Sequence, residues 1–214
     1  GSSRPRIVMA QPQNSPTDFE ATRARMQQLG YMEYETTVSA LRANILAILA
    51  AVPLLLLVGW LVQSWWDDFS FTIDARSSGQ LLLFLVVVVL AIPVHEFLHG
   101  FTWQFFCRQR WQSIKFGVLW RILTPYCHCR EPLGFWAYGL GALMPFLVLG
   151  VSLAVIGILT QNLFLLLFGV INILAAGGDL ILMAMALRYR DARLLDHPTK
   201  CGFVAFRKPQ NPRC

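Results

Sequence analysis

Charge is what this chain has least of. Asp, Glu, Lys and Arg make up 14% of its 214 residues, 56% is hydrophobic, and the mean hydropathy is +0.51. Ordinary soluble domains carry about 25% charged residues. From Leu81 to Val94 (LLLFLVVVVLAIPV) no polar side chain occurs at all. These absences exclude a typical soluble domain and point to a polytopic membrane protein. The five cysteines (Cys107, Cys127, Cys129, Cys201 and Cys214) fall on the inner side of the spans described below or at its boundary, where thiols stay reduced, so no disulfide framework is expected. No cleavable signal peptide is expected either, because the first long apolar run starts near residue 44 and is long enough to span.

What is present falls into four apolar stretches, at about residues 39–63, 80–106, 135–159 and 163–187. They predict an all-α polytopic membrane protein of about four transmembrane helices. A formal charge of +6 could signal nucleic acid, but its distribution excludes that: this threading puts 17 of the 18 Lys and Arg on one side, with only Arg76 opposite. By the positive-inside rule both termini and the long central loop face the cytoplasm of a multi-pass cell-membrane protein. Trp60, Trp65 and Trp66 suit the outer interface, followed by an acidic outer loop with Asp67, Asp68 and Asp74. Residues 1–38 read as a polar cytoplasmic lead-in, residues 39–188 as the membrane core, and residues 189–214 as a short, basic, loosely ordered tail. In the lead-in, Thr17 or Asp18 can cap a helix that reaches Leu29. Phe19, Met26 and Leu29 form a stripe on it, broken by Thr22, that suits either the membrane interface or the rest of the protein.

The inner half of the second span holds His95-Glu96-Phe97-Leu98-His99-Gly100. Residues four apart share one helix face, so His95 and His99 can offer two nitrogens to one tetrahedral ion. Glu96, one residue round, can reach the ion's open side and take a proton from water there, as in H-E-x-x-H peptidases. A charged residue at membrane depth costs roughly 2.5 to 3.5 kcal/mol, and a divalent cation offsets that cost better than an inert polar cluster does. Asp179 is the candidate third ligand, with a polar helix-packing contact as the alternative. It lies nine residues before Arg188, and Phe97 lies nine before Phe106, so the two groups sit level in depth. Zn²⁺ with Asp179 and Glu96 ionised sums formally to zero. Asn172, seven residues before Asp179, could steady a substrate backbone or bridge helices.

Between the second and third spans, Ile114, Phe116, Val118, Trp120 and Ile122 alternate with Ser113, Lys115, Gly117 and Arg121, a period of two that predicts a strand. Thr124-Pro125 breaks it, and Tyr126 to Leu133 follows as a second extended piece, giving a small cytoplasmic hairpin. A peptidase can use such an edge to hold an extended substrate by strand addition. Within this piece Cys127-His128-Cys129 lacks the spacing of a second zinc site, and His128 is a candidate catalytic donor to a developing oxyanion.

Together these residues resemble a family of prokaryotic multi-spanning membrane proteins, long labelled a domain of unknown function and regarded as zincin peptidases. More distantly they resemble the site-2 proteases. The matching pieces are His95 to Gly100, His128 to Leu133, Pro145, and Gly178-Asp179, within about residues 80–188. In site-2 proteases the third-ligand Asp is usually followed by Gly and preceded by prolines, whereas Leu180 follows Asp179 here. The resemblance implies intramembrane metalloprotease architecture. His95, His99 and Asp179 would hold one Zn²⁺ per chain, Glu96 would be the general base, and membrane or membrane-proximal proteins would be the substrates. A non-catalytic divalent-metal-binding or transport protein is the alternative, against which no repeated halves are found. The partners expected are the lipid bilayer and a membrane-protein or peptide substrate; the oligomeric state is not legible.

Overall fold

The longest apolar runs fold into the longest helices, which take in Pro53 and Pro93. In the computed structural model, which describes residues 16–69, 78–120 and 123–209, α2 (Ala40–Trp65) and α3 (Ser78–Trp103) are 26 residues each. At 1.5 Å per residue each is about 39 Å long, more than the roughly 30 Å of a bilayer's hydrocarbon. The Ser39 hydroxyl caps α2 by accepting from the Arg42 backbone N–H. Arg4, Arg6, Asp74, Arg76, Arg121, Ile122, Arg213 and Cys214, which enter the expectations above, lie outside the described residues.

The third span combines α4 (Phe135–Pro145), a π-helical turn over Phe146–Val151 directly after Pro145, and α5 (Ser152–Leu159). Proline cannot donate to the helix ladder, and the wider turn absorbs that break. The fourth stretch, expected as one helix, is two: α6 (Leu163–Ala175) and α7 (Gly177–Ala186), bent by 45° at the fully buried Ala176. The paired glycines that follow are poor helix formers and let the chain turn. Three helices are thus long and apolar enough to cross a bilayer, and the bent pair makes a fourth. Backbones approach closely between α5 and α6, where a Cβ on Gly157 would overlap the backbone of Leu166 and one on Gly169 that of Ala154.

The chain is not all-α. An antiparallel sheet in the order β1-β6-β5-β4 is built from β1 (Met32–Thr37), β4 (Leu133–Gly134), β5 (Arg193–Asp196) and β6 (Gly202–Arg207). Tyr34 lies opposite Ala205, Leu195 opposite Val204, and Leu133 opposite Leu194. The segment expected to be a loose tail therefore supplies the sheet's inner strands. Phe203, Val204, Ala205 and Phe206 are all buried, as a strand covered on both faces requires. Helix α1 (Pro16–Gln28) lays Phe19 and Met26 on Leu195, Val204 and Phe206, so its apolar stripe faces the sheet rather than the bilayer. Arg23 clamps Glu33 of β1 with a bidentate pair.

The expected hairpin is present as β2 (Ile114–Leu119) and β3 (Thr124–Cys129), with Phe116 opposite Cys127 and Lys115 opposite His128. It packs on α3 at Gly100, where an added Cβ would lie 2.6 Å from Phe116 and 2.8 Å from Ile114.

Candidate metal centre

Helix α3 supplies two ligands on one face and α7 the third. His95 Nε2 lies 3.1 Å from Asp179 Oδ2 and 3.2 Å from His99 Nε2, and His99 Nε2 lies 3.4 Å from Asp179 Oδ1. Three donors about 2.0–2.1 Å from one tetrahedral zinc are separated by about 3.3 Å along the edges. The His95–His99 separation falls at that value, and the two imidazoles approach different oxygens of Asp179. One donor atom from each of the three residues lies within 4.8 Å of the others, so the donor set fits the ion in chemistry and converges on one position. His95 and His99 are buried, and Asp179 is partly so. Among the described residues these three form the one cluster of possible metal ligands. Three protein ligands leave a fourth position open, as catalytic zinc sites do and structural ones do not.

The surroundings fix how His99 presents itself. Its Nδ1 lies 2.9 Å from the carbonyl oxygen of Gly141 on α4. A carbonyl only accepts, so the proton sits on Nδ1 and the Nε2 lone pair faces the ligand cluster. Trp103 stacks on the His99 ring at 5.3 Å between centroids and 15° between planes, and donates its indole N–H to the Tyr138 carbonyl at 3.0 Å. Gly141 makes room for that indole: a Cβ there would overlap it. The Tyr138 hydroxyl donates to Asp196 Oδ1 at 2.8 Å, and Asp196 Oδ2 accepts from the Cys129 N–H at 3.0 Å. A carboxylate of the four-stranded sheet thereby holds both α4 and β3.

Glu96 is partly buried beside the cluster and accepts a hydrogen bond from the backbone N–H of Cys127. The outer edge of β3 is therefore occupied: Cys127 donates to Glu96, Cys129 donates to Asp196, and Pro125 has no N–H.

The structure does not bring His128 to the ligands. Cys127 and Cys129 point towards α3, whereas the His128 ring lies on the opposite face of the hairpin, 4.6 Å from Tyr126. There it lines a cavity of about 40 Å³ with Asp18, Lys115 and Asp196. Asn172 is buried, and its amide donates to the Phe168 carbonyl of its own helix at 2.8 Å, so it bridges no helices in this arrangement. Residues not anticipated from sequence are Gly141, Trp103, Tyr138 and Asp196. They act through backbone groups, stacking and the Tyr138–Asp196 side-chain pair, and the one sequence signal for this is the Gly139-x-Gly141 spacing on an apolar helix.

A protein-family model described as putative zincin peptidase matches residues 88–194. The chain belongs to this zincin peptidase family. The match takes in all three proposed ligands, Glu96, the hairpin and the bent α6–α7 pair, and it leaves out α1, β1 and α2. Family membership suggests a zinc metallopeptidase. No curated protein and no solved structure matches the chain.

Proposed function

We propose that the protein is a membrane-embedded zinc endopeptidase that cleaves membrane or membrane-proximal proteins from the cytoplasmic side. The observation that carries this reading is the convergence of His95 and His99 from the long apolar α3 and Asp179 from the bent α6–α7 pair, with Glu96 beside them.

His95 Nε2, His99 Nε2 and one Asp179 oxygen are the atoms that would hold the ion. A zinc ion held there supplies Lewis acidity, polarising a peptide carbonyl and acidifying water. Glu96 takes the proton from the attacking water as its oxygen bonds to the carbonyl carbon. Glu96 then delivers that proton to the amide nitrogen as the C–N bond breaks, so the base ends each cycle as it began. Gly141 and Trp103 keep His99 in the tautomer and orientation this requires. A substrate strand that paired with β3 would compete with Glu96 for the Cys127 N–H, and would free the base as it bound.

Membrane substrates are favoured by a cavity of about 1070 Å³ between α2 and the α5–α7 helices. Its walls are apolar, including Leu46, Ala50, Leu54, Ile173 and Leu180, and it backs onto Gly177, two residues from Asp179. A methyl on Gly177 would lie 3.3 Å from Ala47, so α2 and α7 approach closely here, and α7, which carries the third ligand, itself lines the space.

The test is metal content and hydrolysis on detergent-purified protein. About one zinc per chain is expected in the parent, lost in His95→Ala and in Asp179→Ala. Glu96→Gln should keep the zinc and lose hydrolysis of quenched casein, a generic unfolded substrate. Hydrolysis by Glu96→Gln at the parental rate would overturn the peptidase reading. Zinc flux in proteoliposomes altered by the same substitution would favour transport instead.

A further inference from the structure

The described residues towards the open end of the β2–β3 hairpin are apolar and exposed. Phe116 is 46% exposed, Leu119 43%, Trp120 77% and Leu123 74%. From Phe116 to Thr124 the sequence carries a single charge, Arg121. Soluble surfaces rarely gather such a patch, and an apolar strand left in water is an aggregation site.

The hairpin also runs down along α3 rather than away from it. Its base is at Cys129, whose Sγ lies 3.1 Å from Cys107, just beyond the end of α3. Two residues further along β3, Cys127 reaches Glu96 and Gly100. A step of two strand residues, about 7 Å, thus moves the hairpin's contacts from beyond the end of α3 to Gly100 and Glu96 within it, towards the bilayer. From Cys127 the strand continues in the same sense to Thr124.

The exposed face of α3 is continuous with this patch. Phe97, Phe101 and Phe105 are all exposed, and Phe97 stacks on Trp111 at 5.8 Å, in the 3₁₀ turn (Arg110–Ser113) that leads into β2. The lipid-facing stripe of a spanning helix therefore passes without a break onto the hairpin.

We propose that the tip of the β2–β3 hairpin is inserted into the cytoplasmic leaflet, with acyl chains covering Leu119, Trp120 and Leu123, rather than standing in the cytosol. The backbone sets the depth. The outer edge of β2 has no strand neighbour among the described residues, and open backbone edges are not tolerated in the hydrocarbon centre. The tip therefore lies at the headgroup–acyl boundary, about 5–10 Å deep, as interfacial elements do. This rests on the membrane reading above.

The experiment uses the full chain with Cys201→Ser and Cys214→Ser, reconstituted in phosphatidylcholine–phosphatidylglycerol vesicles. Nitroxide labels are placed one at a time at Leu123→Cys and Trp120→Cys. Val89→Cys, on the exposed face of α3, marks the bilayer, and Thr199→Cys marks the cytosolic sheet. Power saturation compares oxygen with a water-soluble nickel chelate. Labels at 120 and 123 should favour oxygen several-fold over the label at 199, with a ratio between those at 199 and 89. Ratios at both tip positions equal to that at 199 would overturn the insertion. If the label at 89 also behaves as if in water, the membrane reading itself fails, which separates the two outcomes. Zinc retention by each labelled variant reports that it is folded.

Discussion

Gly141 sits where two demands meet, and replacing it with Ala tests the architecture around His99. Its carbonyl takes the His99 Nδ1 proton at 2.9 Å, and its missing side chain is the space filled by the Trp103 indole. A methyl there overlaps a ring that is only 4% exposed, so either Trp103 or α4 must move. Overpacking of this kind costs about 1–3 kcal/mol. Movement of Trp103 also strands the Tyr138 carbonyl it donates to, a penalty of about 1–3 kcal/mol for an unsatisfied buried group. Loss of a group that orients a metal ligand typically weakens metal binding about 10–100-fold. Zinc competition against a chelating dye in detergent should therefore show at least tenfold weaker binding in Gly141→Ala. Gly134→Ala is the comparison, because a Cβ at Gly134 meets nothing within 4 Å, and it should bind zinc as the parent does. Zinc binding by Gly141→Ala within twofold of the parent would refute the claim that Gly141 and Trp103 set the His99 geometry.

Four other outcomes are expected. His128→Ala should retain zinc and turnover within about threefold of the parent, because its ring is on the far face of the hairpin from the ligands; a tenfold loss of turnover would mean that the hairpin presents it during catalysis. Phe203→Ala empties a fully buried position in the four-stranded sheet and should cost about 3–5 kcal/mol, read as a lowered melting temperature, whereas a loose tail would tolerate it. The hydrogen bonds from Arg23 hold the Glu33 carboxyl below its ordinary value, so the stabilisation it gives is present above about pH 4.5 and is lost as pH falls through the folded pKa. Hydrogen exchange in α1 should accelerate selectively in that acid window, and Glu33→Gln should abolish the pH dependence. A water-soluble maleimide should label Cys201 in the folded protein and spare Cys107, Cys127 and Cys129, which are buried; labelling of all four at similar rates would contradict the packing of the hairpin on α3.

The membrane helices and the ligand cluster were legible because each rests on a local rule: uninterrupted apolar length for α2 and α3, a four-residue step for His95 and His99, and level depth for Asp179. The hairpin was legible from its period of two. The four-stranded sheet was not, because its strands come from both ends of the described chain and from its middle. Met32 to Thr37 is polar enough to pass for a linker, and Phe203 to Phe206 is too short an apolar run to announce a buried strand. The bend at Ala176 had a signal in Gly177-Gly178, which could as well have meant close packing. His128 was drawn towards the site by its neighbourhood in sequence, and alternation along β3 turns it away while bringing the backbone of Cys127 to Glu96.

Asp196 has a further meaning for how such an enzyme is kept in repair. Its two oxygens fasten Tyr138, three residues from the carbonyl that aligns His99, and Cys129, two residues from the amide that holds Glu96. The carboxylate acts as a keystone: the ligand side and the base side of the centre lean on one residue of the four-stranded sheet. A load on β5 or β6 is felt by both sides at once, so the alignment of the centre depends on those strands being paired.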